Sequence, residues 1–242
     1  MVILYTANMG IKFKSNEDFF KNWNPIMAYV LGFLFADGNI ENSPYMRGKY
    51  IKAINTDKKI IEKIKKYLDS EHKIQSIKDV NSKIKTKYIL RIGSHKMYNS
   101  LENIGMTPNK SLTMKFPNIP KNLQRYFILG YFDGDGCVYI DNYKKTKGRR
   151  LLIAFTSGSK FFLESLSNIL NEKLSLKQNK VYNSHRSYQL RYSTHDSVKI
   201  FKLLYKKQTN DLYLKRKFDI FKKFFNLRPL WVDPEVLSVL KS

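Results

Sequence analysis

The chain has 242 residues, 43% hydrophobic and 14% aromatic, enough apolar material for one large core or two small ones. Its 44 Lys and Arg against 20 Asp and Glu leave a formal net charge of +24, spread along the whole length, so a polyanion such as nucleic acid is the expected partner. A membrane-surface protein would gather such charge on one amphipathic helix or a tail, and no apolar run reaches the roughly 20 residues that span a bilayer, so a membrane role is disfavoured. The single cysteine, Cys137, excludes an internal disulfide and a cysteine-based zinc module and fits a reducing, intracellular setting. The four histidines have no close spacing that would hold a metal.

Residues 1–23 have no clear period and are expected to form an irregular N-terminal arm, without the basic and apolar stretches of a secretory signal. Asn24-Pro25 then starts an apolar helix, with Asn as N-cap and Pro at the first helical position, and Gly38 can end it. A hairpin around Ser43-Pro44 and Gly48 follows, whose second strand runs from Lys49 to Asn55. Ile60, Ile61, Ile64, Tyr67 and Leu68 recur at helical spacing, predicting an amphipathic helix from Asp57 to about Ser70. In the return strand of a second hairpin, Thr86 to Ile92, Tyr88, Leu90 and Ile92 face the core while Lys87, Ile89 and Arg91 face water. A helix from about Ser94 carries Tyr98, Leu101 and Ile104, and the first domain is set at 24–115.

Phe116-Pro117-Asn118-Ile119-Pro120 belongs to a stiff linker at 116–121, and residues 122–227 replay the first domain. Tyr88-Ile89-Leu90-Arg91 and His95 return as Tyr188-Gln189-Leu190-Arg191 and His195, and Ala53-Ile54 is echoed by Ala154-Phe155. Tyr143 to Gly148 joins the strands of the second domain's first hairpin. His95 and His195 open helices as caps or packing residues. After the repeat, Leu212 to Leu227 forms one more helix, and a tail at 228–242 is anchored by Trp231. Each half thus reads helix, hairpin, helix, hairpin, helix. A period near a hundred residues is too long for a solenoid and predicts two fused copies packed about a pseudo-twofold axis.

The helix that opens each half carries the chemistry. Val30-Leu31-Gly32-Phe33-Leu34-Phe35-Ala36-Asp37-Gly38 and Ile128-Leu129-Gly130-Tyr131-Phe132-Asp133-Gly134-Asp135-Gly136 place two aspartates 135 − 37 = 98 residues apart. Gly32 and Ala36 in one helix, and Gly130 and Gly134 in the other, form ridges without side chains along which two helices can touch backbone to backbone. Such packing brings Asp37 and Asp135 side by side at two helix C-termini, where negative potential accumulates and a hard divalent cation such as Mg²⁺ would relieve it. Asp-Gly at a helix end is by itself ordinary turn chemistry. Turn chemistry, however, does not require the pair.

These two motifs resemble the signatures of the LAGLIDADG homing endonucleases in their single-chain, two-repeat form, over about residues 24–227. The resemblance implies an α+β fold of two pseudo-symmetric αββαββα repeats, whose antiparallel sheets form a saddle over double-stranded DNA with helices on one face. It implies a monomer that binds a long asymmetric target and hydrolyses both strands with two or more Mg²⁺ ions, leaving short 3′ overhangs. Asp37 and Asp135 would bind metal, together with the carbonyls of Ala36 and Gly134. Lys110 and Lys217 would serve the two sites, with Lys215 a rival to the second. Asp133, whose counterpart is Phe35, is taken as structural. Expected DNA contacts are Lys49, Lys52, Lys87 and Arg91 in the first half and Tyr139, Asp141, Arg150, Gln189 and Arg191 in the second, with Arg, Gln and Asp suited to base edges and Lys to phosphates. The alternative is a catalytically silent nucleic-acid binder on the same scaffold, an intron RNA maturase or a DNA-binding regulator. An intein is disfavoured, since neither a nucleophile at the start nor His-Asn at the end is seen.

Overall fold

The computed structural model describes residues 13–43, 48–78, 86–142, 149–176, 180–206 and 212–241. Residues 44–47 and 143–148, where the sequence predicts hairpin turns, and residues 1–12 of the expected arm lie outside this set. The first half runs α1 (Pro25–Asp37), β1 (Gly38–Ser43), β2 (Gly48–Asn55), α2 (Lys58–Tyr67), β3 (Ile74–Ile77), β4 (Lys87–Gly93) and α3 (His95–Ile104). The second repeats the order as α4 (Gln124–Asp135), β5 (Gly136–Asn142), β6 (Arg149–Ser157), α5 (Lys160–Leu174), β7 (Val181–Ser184), β8 (Ser187–Tyr192) and α6 (Thr194–Tyr205). Two further helices follow, α7 (Lys215–Leu227) and α8 (Pro234–Lys241). Each half holds a four-stranded antiparallel sheet, ordered β1-β2-β4-β3 and β5-β6-β8-β7. This is the α+β architecture expected. No helix among the described residues is long and apolar enough to cross a membrane.

The two motif helices form the spine. Every residue of α1 from Met27 to Phe35 is buried, as is every residue of α4 from Tyr126 to Asp133. Helices apolar on all sides belong in an interior, and these two lie against each other at backbone distance. A Cβ at Gly32 would sit 2.0 Å from the Phe127 carbonyl oxygen, and one at Gly130 would sit 2.0 Å from that of Tyr29. At the end of the ridge a Cβ on Gly134 would lie 2.4 Å from the methyl of Ala36, so the pair of facing positions holds one methyl and no more. The apolar core runs through this seam into both halves. α2 and α3 cover one face of the first sheet, and α5 and α6 the matching face of the second.

Local signals set the boundaries. Asn24 caps α1 by accepting from the Met27 amide at 2.9 Å, as the Asn-Pro start predicts. α2 begins one residue after its cap Asp57 and stops short of the expected end at Ser70, because Asp69 turns left-handed (φ 45°) and the Ser70 amide bonds back to Lys65. The caps of α3 and α6 are Ser94 and Ser193, so His95 and His195 stand one or two residues inside and are exposed. The His195 ring meets Trp231 edge-on at 6.4 Å, and Trp231 packs on the core as anticipated. The short helix α8 was not foreseen in the tail.

Strand register corrects one correspondence between the halves. Gly38 pairs with Ala53 and Gly136 with Phe155, so Ala53 matches Phe155 and Lys52 matches Ala154, one position away from the echo seen in the sequence. A one-residue slip exchanges the faces of a strand. Ala53 and Phe155 are both core, whereas Lys52 is half-buried on the open face. Ile89, expected among the wet residues of β4, is covered where it lies between Ile54 and Gln75.

Candidate active site

Each motif helix stops and becomes a strand within one residue. Gly38 and Gly136 are extended (φ −118° and −86°), and their amides still reach back to Leu34 and Phe132. Asp37 and Asp135 are therefore the last helical residues, at the bottom of the seam. The Asp37 carboxylate oxygen lies 3.3 Å from where a Gly134 Cβ would be, so it leans across onto the partner helix. Termination also leaves last-turn carbonyls, including those of Ala36 and Gly134, without the donor four residues on.

Two buried lysines complete the arrangement. After α3 a 3₁₀ turn, Lys110–Leu112, points Lys110 inward, and its Nζ donates to the Gly38 carbonyl. Lys217, in the first turn of α7, donates to the carbonyls of Gly136 and Phe132 and, at 3.0 Å, of Asp133. Both ammonium groups grip the glycine at a helix-to-strand junction, and only 4% and 3% of these two residues is exposed. The rival Lys215 is exposed and pairs with Asp219 at 3.2 Å. Burial holds both lysines down to about 8, against the opposing pull of the aspartates.

The aspartates are not equivalent. Asp135 is pushed up to about 7, first by burial and then by the Asp37 carboxylate. Burial also raises Asp37, but a hydrogen bond from Asn55 and the charges of Lys217, Lys110 and Arg216 oppose it. Register places Ser157 where Asn55 stands, and the Ser157 hydroxyl oxygen accepts from the Ser159 amide at 3.1 Å. No described residue donates a hydrogen bond to the Asp135 carboxylate. Two crowded carboxylates, one unpartnered, beside open carbonyls form an all-oxygen donor set that suits a hard divalent cation. Asp37, Asp135 and the Ala36 and Gly134 carbonyls fit such an ion.

Asp133 is wholly buried. Its Oδ2 accepts from the Tyr29 hydroxyl at 2.7 Å and from the Leu214 amide at 2.8 Å. It thereby ties α4 to α1 and to the turn that launches Lys217. The related position pairs Phe35 with Phe127 edge to face, centroids 5.3 Å apart. Tyr29 and Phe127 are themselves 98 residues apart, so the polar contact and the apolar one are alternatives at the same symmetric site.

On the open sheet faces, Lys52 and Arg91 are cross-strand partners, and both reach Glu41, Arg91 at 3.4 Å. The Arg91 guanidinium lies 3.6 Å from the Tyr50 ring centroid. In the second half Arg150 pairs with Asp141 at 2.7 Å, Tyr139 is exposed beside them, and Arg191 donates to Gln189 at 2.8 and 2.6 Å. Lys87 is exposed at the start of β4. Lys49 does not join this surface. Alternation turns it to the helical face, where it bonds Asn99 at 2.7 Å and lies over the Tyr98 ring. Residues missed in the sequence are Asn55, Tyr29 and Arg216. Tyr29 alone had a visible signal, its offset from Phe127 being that of Phe35 and Asp133.

The model of the LAGLIDADG-like domain matches residues 24–105 and again 122–204. A probable translation initiation factor IF-2 of Methanocaldococcus jannaschii is 30% identical over 173 residues, 69% of this chain, but the chain spans only 13% of that protein's length. Among solved structures, the homing endonuclease I-WcaI bound to its DNA recognition sequence has a TM-score of 0.52 at 19% identity, covering 93% of this chain and 91% of that one. I-DmoI in complex with DNA and Mn has a TM-score of 0.52 at 22% identity, covering 76% of this chain and 98% of that one.

Proposed function

Because the chain belongs to the LAGLIDADG family, with both repeats present, we propose that it is a site-specific endonuclease that binds a long asymmetric double-stranded DNA target as a monomer and hydrolyses both strands with Mg²⁺, leaving short 3′ overhangs. The observation that carries this is the pairing of Asp37 and Asp135 at the helix seam, each half bringing one buried lysine to the junction. A binder needs neither the crowded carboxylates nor the desolvated lysines, both of which cost stability.

The chain's own groups divide the work. The sheet faces bearing Lys52, Arg91, Arg150, Gln189 and Arg191 set the register on DNA, and their ion pairs with Glu41 and Asp141 hold the long side chains in place before DNA arrives. The seam is rigid, so it fixes the separation of the two aspartates and hence the stagger between cuts. Lys110 and Lys217, fixed on backbone carbonyls, present positive charge where negative charge grows on the phosphate. When bound by Asp37 and Asp135, Mg²⁺ would lower the pKa of water for attack and stabilise the leaving 3′ oxygen. Asp133 and Tyr29 hold the turn that carries Lys217 and touch no substrate.

The test is a screen of purified protein against a randomised duplex library, in Mg²⁺ for cutting and in Ca²⁺ for binding. Wild type is expected to cut a defined site, and Asp37→Asn and Asp135→Asn to bind the same site without double-strand cleavage. Full cleavage by either variant in Mg²⁺ overturns the assignment, and site-specific binding without cleavage by wild type assigns the silent binder instead.

A further inference from the structure

The two aspartates meet different surroundings. A cleft of about 470 Å³ opens over Asp37, with Asn39 and Asn55 on its wall and two cationic side chains at its rim, Lys87 of β4 and Arg216 of α7. Arg216 comes from the second half and crosses to the first. Its Nε lies 3.6 Å from Asp57, the N-cap carboxylate of α2, about half of its side chain remains exposed, and its charge is felt at Asp37. A neighbouring cleft of about 860 Å³ shares Arg216 and is lined by both signs of charge, Lys58, Lys59 and Lys215 with Asp57 and Asp219.

The positions that match Lys87 and Arg216 carry no charge in the other half, whose own cleft over Ser159, Ser187 and Tyr188 holds instead Lys160 and Arg186. Asn55 and Ser157 are equivalent through their partners Tyr88 and Tyr188, which makes Ser187 the counterpart of Lys87. Asp57 and Ser159 are both N-caps, of α2 and α5. Arg216 precedes the buried Lys217 as Asn109 precedes the buried Lys110. Both cations of the Asp37 cleft are thus replaced by uncharged side chains in the other half.

We propose that Arg216, assisted by Lys87, binds a DNA phosphate at the Asp37 centre alone, so that the two strands are cut in a fixed order, the strand on the Asp37 centre first. This rests on the endonuclease reading above. A guanidinium offers parallel donors matched to phosphate oxygens, and a half-exposed ion pair at 3.6 Å such as that with Asp57 is worth little and is readily exchanged for the phosphate. A phosphate so held is oriented towards Asp37, and the added cation stabilises charge that builds during attack. At the positions of the other half that match Lys87 and Arg216, Ser187 and Asn109 offer no such cation.

The test takes a duplex carrying the selected target, with a different fluorophore on each strand, under single-turnover conditions in Mg²⁺. Wild type is expected to cut one strand first. Arg216→Gln is expected to slow that strand by roughly ten- to a hundredfold and to leave the other within about twofold, with Arg216→Lys restoring part of the loss. On the same duplex in Ca²⁺, Arg216→Gln is expected to reduce the slope of log affinity against log salt by about one. Equal slowing of both strands, or an unchanged first strand, overturns the strand order, and an unchanged salt slope overturns the phosphate contact. A wild-type protein that binds the target and leaves it uncut overturns the endonuclease reading and the strand order with it, while the salt slope still decides the phosphate contact.

Discussion

The first and second halves share a scaffold down to single glycines, yet they differ at nearly every polar contact around the seam. A Cβ added at Gly32 or Gly130 would meet the opposite backbone at the same 2.0 Å, and Lys110 and Lys217 grip equivalent junction carbonyls, those of Gly38 and Gly136. Against this, Tyr29–Asp133 stands opposite Phe127–Phe35, Asn55 opposite Ser157, and Arg216 opposite Asn109. What cannot vary is what sets the distance between the aspartates. What varies is the environment of each one.

The shared part is the easiest to break. Gly32→Ala or Gly130→Ala would drive a methyl into a carbonyl oxygen between two rigid helices, and each is expected to cost about 3 kcal/mol or more in chemical denaturation, or to prevent folding. Near-equal losses are expected from the two sites, and a large inequality would show that the seam is not symmetric.

The pH dependence of the metal-free protein addresses the aspartates and lysines together. Asp135 holds its proton in the folded state up to about 7, whereas the unfolded chain releases it near 3.8, so stability is present at low pH and lost as pH rises through that window. Lys110 and Lys217 act in the opposite sense. Held down to about 8 from 10.5, they favour the folded state only above that range. The metal-free protein is therefore expected to be least stable near pH 7 to 8, by on the order of a few kcal/mol. Thermal melts should show Mg²⁺ raising the midpoint most in that interval, and Asp135→Asn reducing the acid-side decline to the share of Asp133, pushed up to about 6 by burial, and of Asp37.

The alternative polar and apolar pairs sharpen the comparison at smaller cost. Tyr29→Phe takes a donor from the buried Asp133 carboxylate, and Phe127→Tyr buries a hydroxyl against the Phe35 ring. Each is expected to destabilise by about 1–3 kcal/mol in urea titrations. The smallest effects belong to the sheet faces. Lys52→Ala is expected to weaken DNA binding and to lower the salt slope by about one, while Lys49→Ala, on the helical face, leaves both unchanged in a filter-binding titration.

The duplication, the glycine ridge and the aspartate pair were legible because each rests on short local patterns said twice at one offset. Lys110 and Lys217 were reachable only through family resemblance. Their burial and their carbonyl partners come from tertiary packing. The equivalence of strands was misjudged by one residue because the offset between halves is 98 at the motif, 102 at β2 and β6, and 100 at β4 and β8. Loops of unequal length shift register, and register decides faces. Arg216 was hidden for a related reason, since it serves the half to which it does not belong in sequence.

The single methyl between Ala36 and Gly134 has a consequence for self-recognition. A first half meeting a copy of itself would bring two alanine methyls into a space that holds one and lay the Tyr29 hydroxyl on the Phe35 ring. A second half meeting its own copy would press the Asp133 carboxylate against Phe127, with no hydroxyl to receive it. Each half has lost the complementarity that an isologous dimer requires and keeps it only for the other. On these contacts each half of the chain fits the other better than it would fit a copy of itself.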